Sequence, residues 1–462
     1  MKKIIILSVL VACITVVSSM NLIQRRLHSI KDELLATQEE IDYDALFKHN
    51  QEDEVVIELQ TEETTNVKKE VLDSSKYEAV FEDCNGELIT VGAAMGESNL
   101  CLYPKSFGNI IGYNNKYDIS GLREFLFEEK LLYGEKRYFA QLTIDAKLQN
   151  YCYDLLGKEA GSITIMKDTG ELLAYASKSK AELDISSDET VFAYLMNLDK
   201  NQESEVLKGF ENQYTNQFGR VFTYFSYIVN RAAPWRFTGN EIYHDIGLYR
   251  TEDGDIYNVG YEKYGDITEK DALLDTNIQT YFAILAQDAY FDFLVNHYGL
   301  NKTLSFELGE IENDINLSNC SDYEIATVGN GQSDRFTMSP LFMQVMFNSF
   351  MNDKNEVYKP FLINKVYSKD SNIELYVGHK EKVADGCAEV SGFVQEALLL
   401  IGKDIFKENL YAVTSIDERQ STLLVGIPET DFSICISLED ANKTTDDLIV
   451  MAKAIMNFIE QN

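Results

Sequence analysis

Two sets of short apolar runs, one early and one at the far end of the chain, constrain the fold most. Gln141-Leu142-Thr143-Ile144-Asp145 leads directly into Ala146-Lys147-Leu148-Gln149-Asn150. That pattern predicts a strand running into a helix, with Asp145 as the N-cap. Ser162–Met166 and Leu172–Ala176 then flank an Asp168-Thr169-Gly170 turn, the pattern of a hairpin of buried strands. Near the C-terminus come Leu410–Thr414, Thr422–Gly426 and Phe432–Ser437, followed by a helix from Thr445 with Leu448, Met451, Ile455 and Phe458 or Ile459 along one face. Between the sets, residues 200–350 are helical in character with scattered glycine. Two strands, a large helical insert, three strands and a helix predict one sheet built from distant chain segments and covered by helices.

The 462 residues carry a formal net charge of −34. Such a chain repels phosphate backbones and anionic lipid, so nucleic acid is excluded as a partner and the body reads as a well-solvated protein of an extracytoplasmic space. Residues 25–137 form an acidic stalk and a small pedestal, with Glu39-Glu40, Glu52-Asp53-Glu54 and Glu62-Glu63 in the stalk. Ahead of them, Met1-Lys2-Lys3 precedes an apolar run from Ile4 to about Met20, just long enough with its flanks to span a bilayer, so residues 1–24 are expected to be a signal anchor. Leu10-Val11-Ala12-Cys13 also resembles a lipobox, leaving lipidation at Cys13 as the second reading. Seven cysteines include no Cys-x-x-Cys pair and the five histidines show no His-x-x-x-His spacing, so neither a metal nor another cofactor is expected. In an oxidising compartment Cys84 and Cys101 could pair.

From about residue 100 onward the chain resembles the penicillin-binding transpeptidase domain of class B penicillin-binding proteins with a short N-terminal region. Leu102-Tyr103-Pro104, Ile110-Ile111-Gly112-Tyr113 and Ser120-Gly121-Leu122 are similar to the stretch before that domain. Met166–Ala174 resembles its first hairpin. Gly329-Asn330-Gly331-Gln332 with Met338-Ser339-Pro340-Leu341 is similar to its glycine-glutamine turn and following helix, and Leu424–Pro428 to the strand after its last motif. The resemblance implies an α/β (α+β) penicillin-binding/β-lactamase-like fold over residues 138–462, with a central antiparallel sheet flanked by helices and a large helical subdomain.

Three motifs carry that family's chemistry, and flanking sequence locates each one here. The nucleophile motif Ser-x-x-Lys falls on Arg220 to Thr223, so arginine stands for the serine and threonine for the lysine. Ser-x-Asn falls on Asp275-Thr276-Asn277, with asparagine kept and aspartate for serine. Lys-Thr-Gly falls on Val413-Thr414-Ser415, with the lysine and the glycine lost. An always-protonated guanidinium is no acyl-transfer nucleophile, threonine is no lysine base, and valine holds no carboxylate. The expected catalytic set is therefore degenerate: Arg220, Thr223, Asp275, Asn277, Val413, Thr414 and Ser415.

Other placements fare no better. Ser177-Lys178-Ser179-Lys180 satisfies Ser-x-x-Lys, but at a strand end. Ser226 follows Thr223 by about one turn and reads as a helix-lining serine. Pro234–Gly239 faintly resembles the first motif and lacks both serine and lysine. Because the family's two serines are neighbours in the cleft, Arg220 and Asp275 are expected to meet as an ion pair plugging it; the bland alternative leaves both solvated. The expected function is that of a membrane-anchored, catalytically dead relative with a structural or regulatory role in peptidoglycan synthesis at the bacterial cytoplasmic membrane. It would engage a polytopic glycosyltransferase, another wall-synthesis protein, or peptidoglycan itself. The alternatives are an active D,D-transpeptidase with unconventional residues and a plain peptidoglycan-binding module.

Overall fold

The computed structural model describes residues 79–91, 100–112, 120–129, 138–178, 223–232, 241–275, 277–286, 289–311, 313–315, 319–333, 335–352, 354–368, 373–416, 420–428, 430–439 and 443–461. The expected anchor and stalk, Cys13 and Arg220 lie outside them. Among the described residues no helix is long and apolar enough to cross a membrane.

The chain enters with β1 (Ala79–Glu82), β2 (Tyr138–Leu142), α1 (Ala146–Leu155), β3 (Gly161–Lys167) and β4 (Leu172–Lys178). The middle holds α2 (Thr223–Ala232), β5 (Tyr243–Asp245), β6 (Gly265–Ile267), α3 (Glu269–Leu274), α4 (Thr280–Leu285), α5 (Asp322–Gly329) and α6 (Pro340–Met351). It closes with β7 (Ile363–Ser368), β8 (Ile373–Val377), α7 (Ala388–Phe406), β9 (Tyr411–Ile416), β10 (Gln420–Gly426), β11 (Phe432–Glu439) and α8 (Thr445–Gln461).

The expected sheet forms as β9-β10-β11-β3-β4, antiparallel throughout. Side-chain alternation along its strands creates two buried faces. One face carries Ile163, Ile165, Leu423, Val425, Ile434 and Ile436 against α1 and α8, which contribute Leu148, Cys152, Leu448 and Ile455. The other face packs against α2, α6 and α7 in the larger core. Asp145 caps α1, accepting from the amides of Lys147 and Leu148, both at 2.9 Å. The hairpin turn depends on Gly170, at φ 99°, where a Cβ would stand 2.1 Å from the Lys359 carbonyl oxygen.

Helix α6 is apolar nearly all round, as a central buried helix must be. Gln344, one of its three buried polar residues with Asn348 and Ser349, spans two strands: its Nε2 donates to the carbonyls of Thr164 (3.2 Å) and Ser433 (3.1 Å). The helix that faces the sheet is thus fixed in register as well as held by apolar contact.

Two features depart from the sequence reading. The insert is not only helical: three-residue strands pair there, β5 with β6 and Leu248–Arg250 with Asp255–Tyr257 among them. Strands this short show no period from which to infer them. A second sheet, β1-β2-β7-β8, joins residues on both sides of the 137/138 boundary, β1 to β2 in parallel. Glu307 is buried beside it and its carboxylate accepts from the amides of Leu362 (3.1 Å) and Ile363 (3.0 Å), while burial pushes its carboxyl above the usual range. Cys84 and Cys101 are both free thiols, so the pairing expected for them is corrected.

Candidate functional site

Three of the structure's elements carry the motif positions: α2, the loop after α3, and the edge strand β9. Thr223 is the first described residue of α2 and is buried. Val413 lies in β9, buried, on the strand face that meets α2. It joins Tyr224, Phe225, Phe347, Phe350 and Leu398 around a void of about 10 Å³, at most one water in size. The position where the resemblance calls for an ammonium group is therefore closed by hydrocarbon. Thr414 Oγ1 donates to the Thr422 carbonyl across the strand pair (3.0 Å).

Ser415 begins a feature the sequence did not announce. It pairs with Thr422, Thr422 with Ser437, Ser437 with Ser162 and Ser162 with Ser177. One hydroxyl residue from each of the five strands forms a buried row across the sheet, on the face toward α2 and α6. Thr422 Oγ1 and Ser437 Oγ share a hydrogen bond of 3.0 Å, and Gln420 Nε2 also donates to Ser437 Oγ. Ser162 Oγ is buried with no hydrogen-bond partner among the described residues. The signal for this row is the register of five strands, which no local pattern contains.

The row also settles where Ser177 stands: inside a strand, not at a helix start. Lys178 beside it donates to the Gly157 carbonyl (2.9 Å) and lies 4.1 Å from the Tyr153 ring centroid. Ser226 is fully buried and its hydroxyl donates to the Gly329 carbonyl at 2.8 Å, joining α2 to α5. It is the helix-lining serine expected. Pro234–Gly239 lies outside the described residues.

The Asp275–Asn277 loop is held tightly. Asp275 Oδ1 accepts from the Asn277 amide (2.9 Å), and the Asn277 carbonyl accepts from the Val259 amide (3.0 Å). Asn258 Oδ1 receives the amides of Gln279 (2.9 Å) and Thr280 (3.1 Å). Behind it, the buried Asp245 carboxylate accepts four donors: Gly247 N (3.1 Å) and Thr280 Oγ1 (2.8 Å) on Oδ1, Asn258 Nδ2 (2.8 Å) and Tyr264 N (2.8 Å) on Oδ2. Sequence reasoning missed both residues, whose partners are up to 35 positions away. Their carboxylate and amide fix the start of α4 and the loop before it.

Asp275 opens onto a groove of about 600 Å³ lined by Tyr264, Asp266, Ile267, Asp271, Leu274, Asp275 and Ile278. Partial burial, then the charges of Asp275 and Glu262, push the Tyr264 phenol upward. The partner expected for Asp275, Arg220, lies outside the described residues. A half-buried arginine–carboxylate pair does form at the other end of α2, between Arg231 and Glu269. The guanidinium also packs on the rings of Tyr227 (5.3 Å) and Phe393 (5.1 Å). Arg231 ends α2 and Glu269 begins α3, so each charge suits its helix dipole. Burial raises the Glu269 carboxyl, opposed by the guanidinium.

Asp83, Cys84 and Asp145 converge closely enough to suggest metal ligands. Their carboxylates are engaged otherwise: Asp83 accepts the amides of Asn85, Glu87 and Ala146, and Asp145 caps α1 and accepts from Asn85 Nδ2. The donor set is that of a turn and a helix cap.

No family model matches the chain, and no curated protein matches it. Solved structures do. The D,D-transpeptidase domain of a peptidoglycan glycosyltransferase from Eggerthella lenta aligns with TM-score 0.70 and 16% identity, over 83% of this chain and 98% of that one. Penicillin-binding protein A from M. tuberculosis, solved as an imipenem acyl-enzyme complex, gives 0.68 and 14%, over 83% and 99%. Pseudomonas aeruginosa PBP2, in complex with WCK 5153, gives 0.66 and 15%, over 82% and 95%. At such identities the shared property is the fold, and it is the fold that the order of motifs implied.

Proposed function

We propose that this chain, which carries the fold of penicillin-binding transpeptidase domains, is a catalytically inactive member of the bacterial cell envelope. It is held at the cytoplasmic membrane by its N-terminal apolar segment, with its body outside. It serves peptidoglycan synthesis by binding a wall-synthesis protein, such as a polytopic glycosyltransferase, or peptidoglycan. The observation that carries this reading is Val413. Transpeptidation needs an open cleft between the nucleophile helix and the edge strand, and a cation there for the substrate carboxylate. Here the edge strand meets α2 through buried hydrocarbon with room for at most one water. The sequence adds an arginine at the nucleophile position, and a missing nucleophile is not replaced by binding contacts.

The test is covalent labelling with a fluorescent penicillin, with an active transpeptidase run beside it. No band should survive denaturing electrophoresis for this chain at any label concentration that saturates the control. A denaturation-resistant adduct, mapped to any serine, would overturn the reading in favour of an active enzyme.

A further inference from the structure

Among the described residues nine large apolar side chains are exposed, and five of them fall within residues 242–261: Ile242, Ile246, Tyr257, Val259 and Tyr261. Ile242 is 66% exposed and Tyr261 72%, so these are not side chains grazing the surface. Their positions are related. Alternation along β5 turns Tyr243 and Asp245 inward and Ile242, His244 and Ile246 outward. Gly247 packs against the Glu262 carbonyl and the Lys263 side chain, which sets Ile246 beside the 257–262 turn. There the rings of Tyr257 and Tyr261 meet edge-to-face at 4.8 Å. The result is an apolar shelf, held rigid from behind by Asp245 and Asn258.

The shelf borders the acidic groove. Asp266 pairs with the outward-facing His244 across β5 and β6 (2.7 Å) and also lines the groove with Asp271 and Asp275. Asp271 Oδ1 and Asp275 Oδ2 take no hydrogen bond among the described residues, since Thr268 and Asn277 use the other oxygen of each. Within residues 241–263, which carry the shelf, Glu241, Glu252, Asp253, Asp255 and Glu262 outnumber Arg250 and Lys263. A second copy docking here would bring like-charged rims together, and an anionic lipid surface would meet the same repulsion.

We infer that shelf and groove together are the docking surface for a segment of a partner protein that presents apolar side chains next to lysine or arginine. The apolar groups cover Ile242, Ile246 and Tyr261, and the cation enters the groove among Asp266, Asp271 and Asp275. This deepens the scaffold reading above and rests on it, adding the chemistry of what is held.

The experiment is fluorescence anisotropy on the detergent-solubilised full chain. The probe is a labelled peptide of alternating leucine and lysine, compared with versions carrying serine for leucine or glutamate for lysine. The leucine–lysine peptide should bind; the serine version should bind at least about tenfold more weakly, since one apolar side chain removed from water is worth that factor, and the glutamate version at least as weakly, since it sets like charges against the acidic groove. An Ile246→Ser/Tyr261→Ser chain and an Asp266→Asn/Asp275→Asn chain should each lose at least about tenfold for the parent peptide. Circular dichroism checks that both remain folded, as expected where three of the four positions are exposed and Asp275→Asn keeps the oxygen that accepts from the Asn277 amide. Equal binding of the serine–lysine peptide, or no effect of the shelf substitutions, would reduce the attraction to net charge and overturn the inference. So would shelf-dependent binding to phosphatidylcholine vesicles, or shelf-dependent dimers in sedimentation. Penicillin labelling of the same preparations separates the two proposals: failed docking without labelling sinks only the docking surface, and labelling sinks the scaffold reading.

Discussion

Replacing Asp245 by asparagine probes the support beneath the candidate site with almost no change in shape. The carboxylate accepts four hydrogen bonds in a buried position. An amide has one oxygen to offer, so its NH2 must face one of two donor pairs. Facing Asn258 Nδ2 and Tyr264 N leaves two donors unmet. Facing Gly247 N and Thr280 Oγ1 is cheaper, because the threonine hydroxyl can rotate and accept. Even then one buried amide is orphaned, and the remaining bonds lose their charge assistance. An orphaned buried donor costs about 1–3 kcal/mol and a hydrogen bond to a charged group is worth about 1.5–3 kcal/mol. The substitution should therefore destabilise this region by about 2–4 kcal/mol. Amide hydrogen exchange reads that locally. At one decade per ~1.4 kcal/mol, peptides covering 241–267 and 277–286 should exchange about 30-fold to several hundred-fold faster. Peptides from β3, β4 and β9–β11 should stay within about threefold. Unchanged exchange around 241–286, or equal acceleration everywhere, would refute Asp245 as the local anchor.

The buried Glu307 gives a pH test. Its folded-state pKa is raised, so the folded chain binds that proton more tightly than the unfolded chain. The resulting stabilisation is full below the ordinary glutamate value and fades as pH rises through the folded value. In urea titrations from pH 4 to 8, the stability of the parent chain relative to Glu307→Gln should decline with rising pH; a rise would refute the assignment. Val413→Lys restores the residue the transpeptidase motif calls for, but into a sealed apolar contact. It should cost about 3 kcal/mol or more in urea unfolding, as an unpaired buried charge does, and should not restore penicillin labelling.

The sequence was most readable where one residue's environment is decided by its near neighbours. Ser162–Met166, Leu172–Ala176 and the three C-terminal runs are largely buried on both faces, so they carry no charge, hold only small hydroxyls among the apolar residues, and identify themselves as strands. Asp145 was legible because a cap acts over three residues. Flanking sequence gave an expected motif position for Val413, but not its contact with Tyr224 and Phe225, which comes from packing between distant segments. Asp245 resembles any acidic turn residue until the fold brings Thr280 to it. The free thiols of Cys84 and Cys101 show the same limit, since counting cysteines says nothing of how their carbons are oriented.

The strand order carries a cost in time. The hairpin β3–β4 leaves the ribosome with both edges bare, and β11, which must cover the β3 edge, begins only at Phe432. At roughly 5–20 residues per second, the interval from Lys178 to Phe432 is on the order of 10–50 s. During that wait β3 is an open template for any passing strand, and the hydroxyls of Ser162 and Ser177 can still be wetted there. A buried polar stripe across a largely apolar sheet makes the waiting hairpin a poorer seed for aggregation than an all-aliphatic one would be.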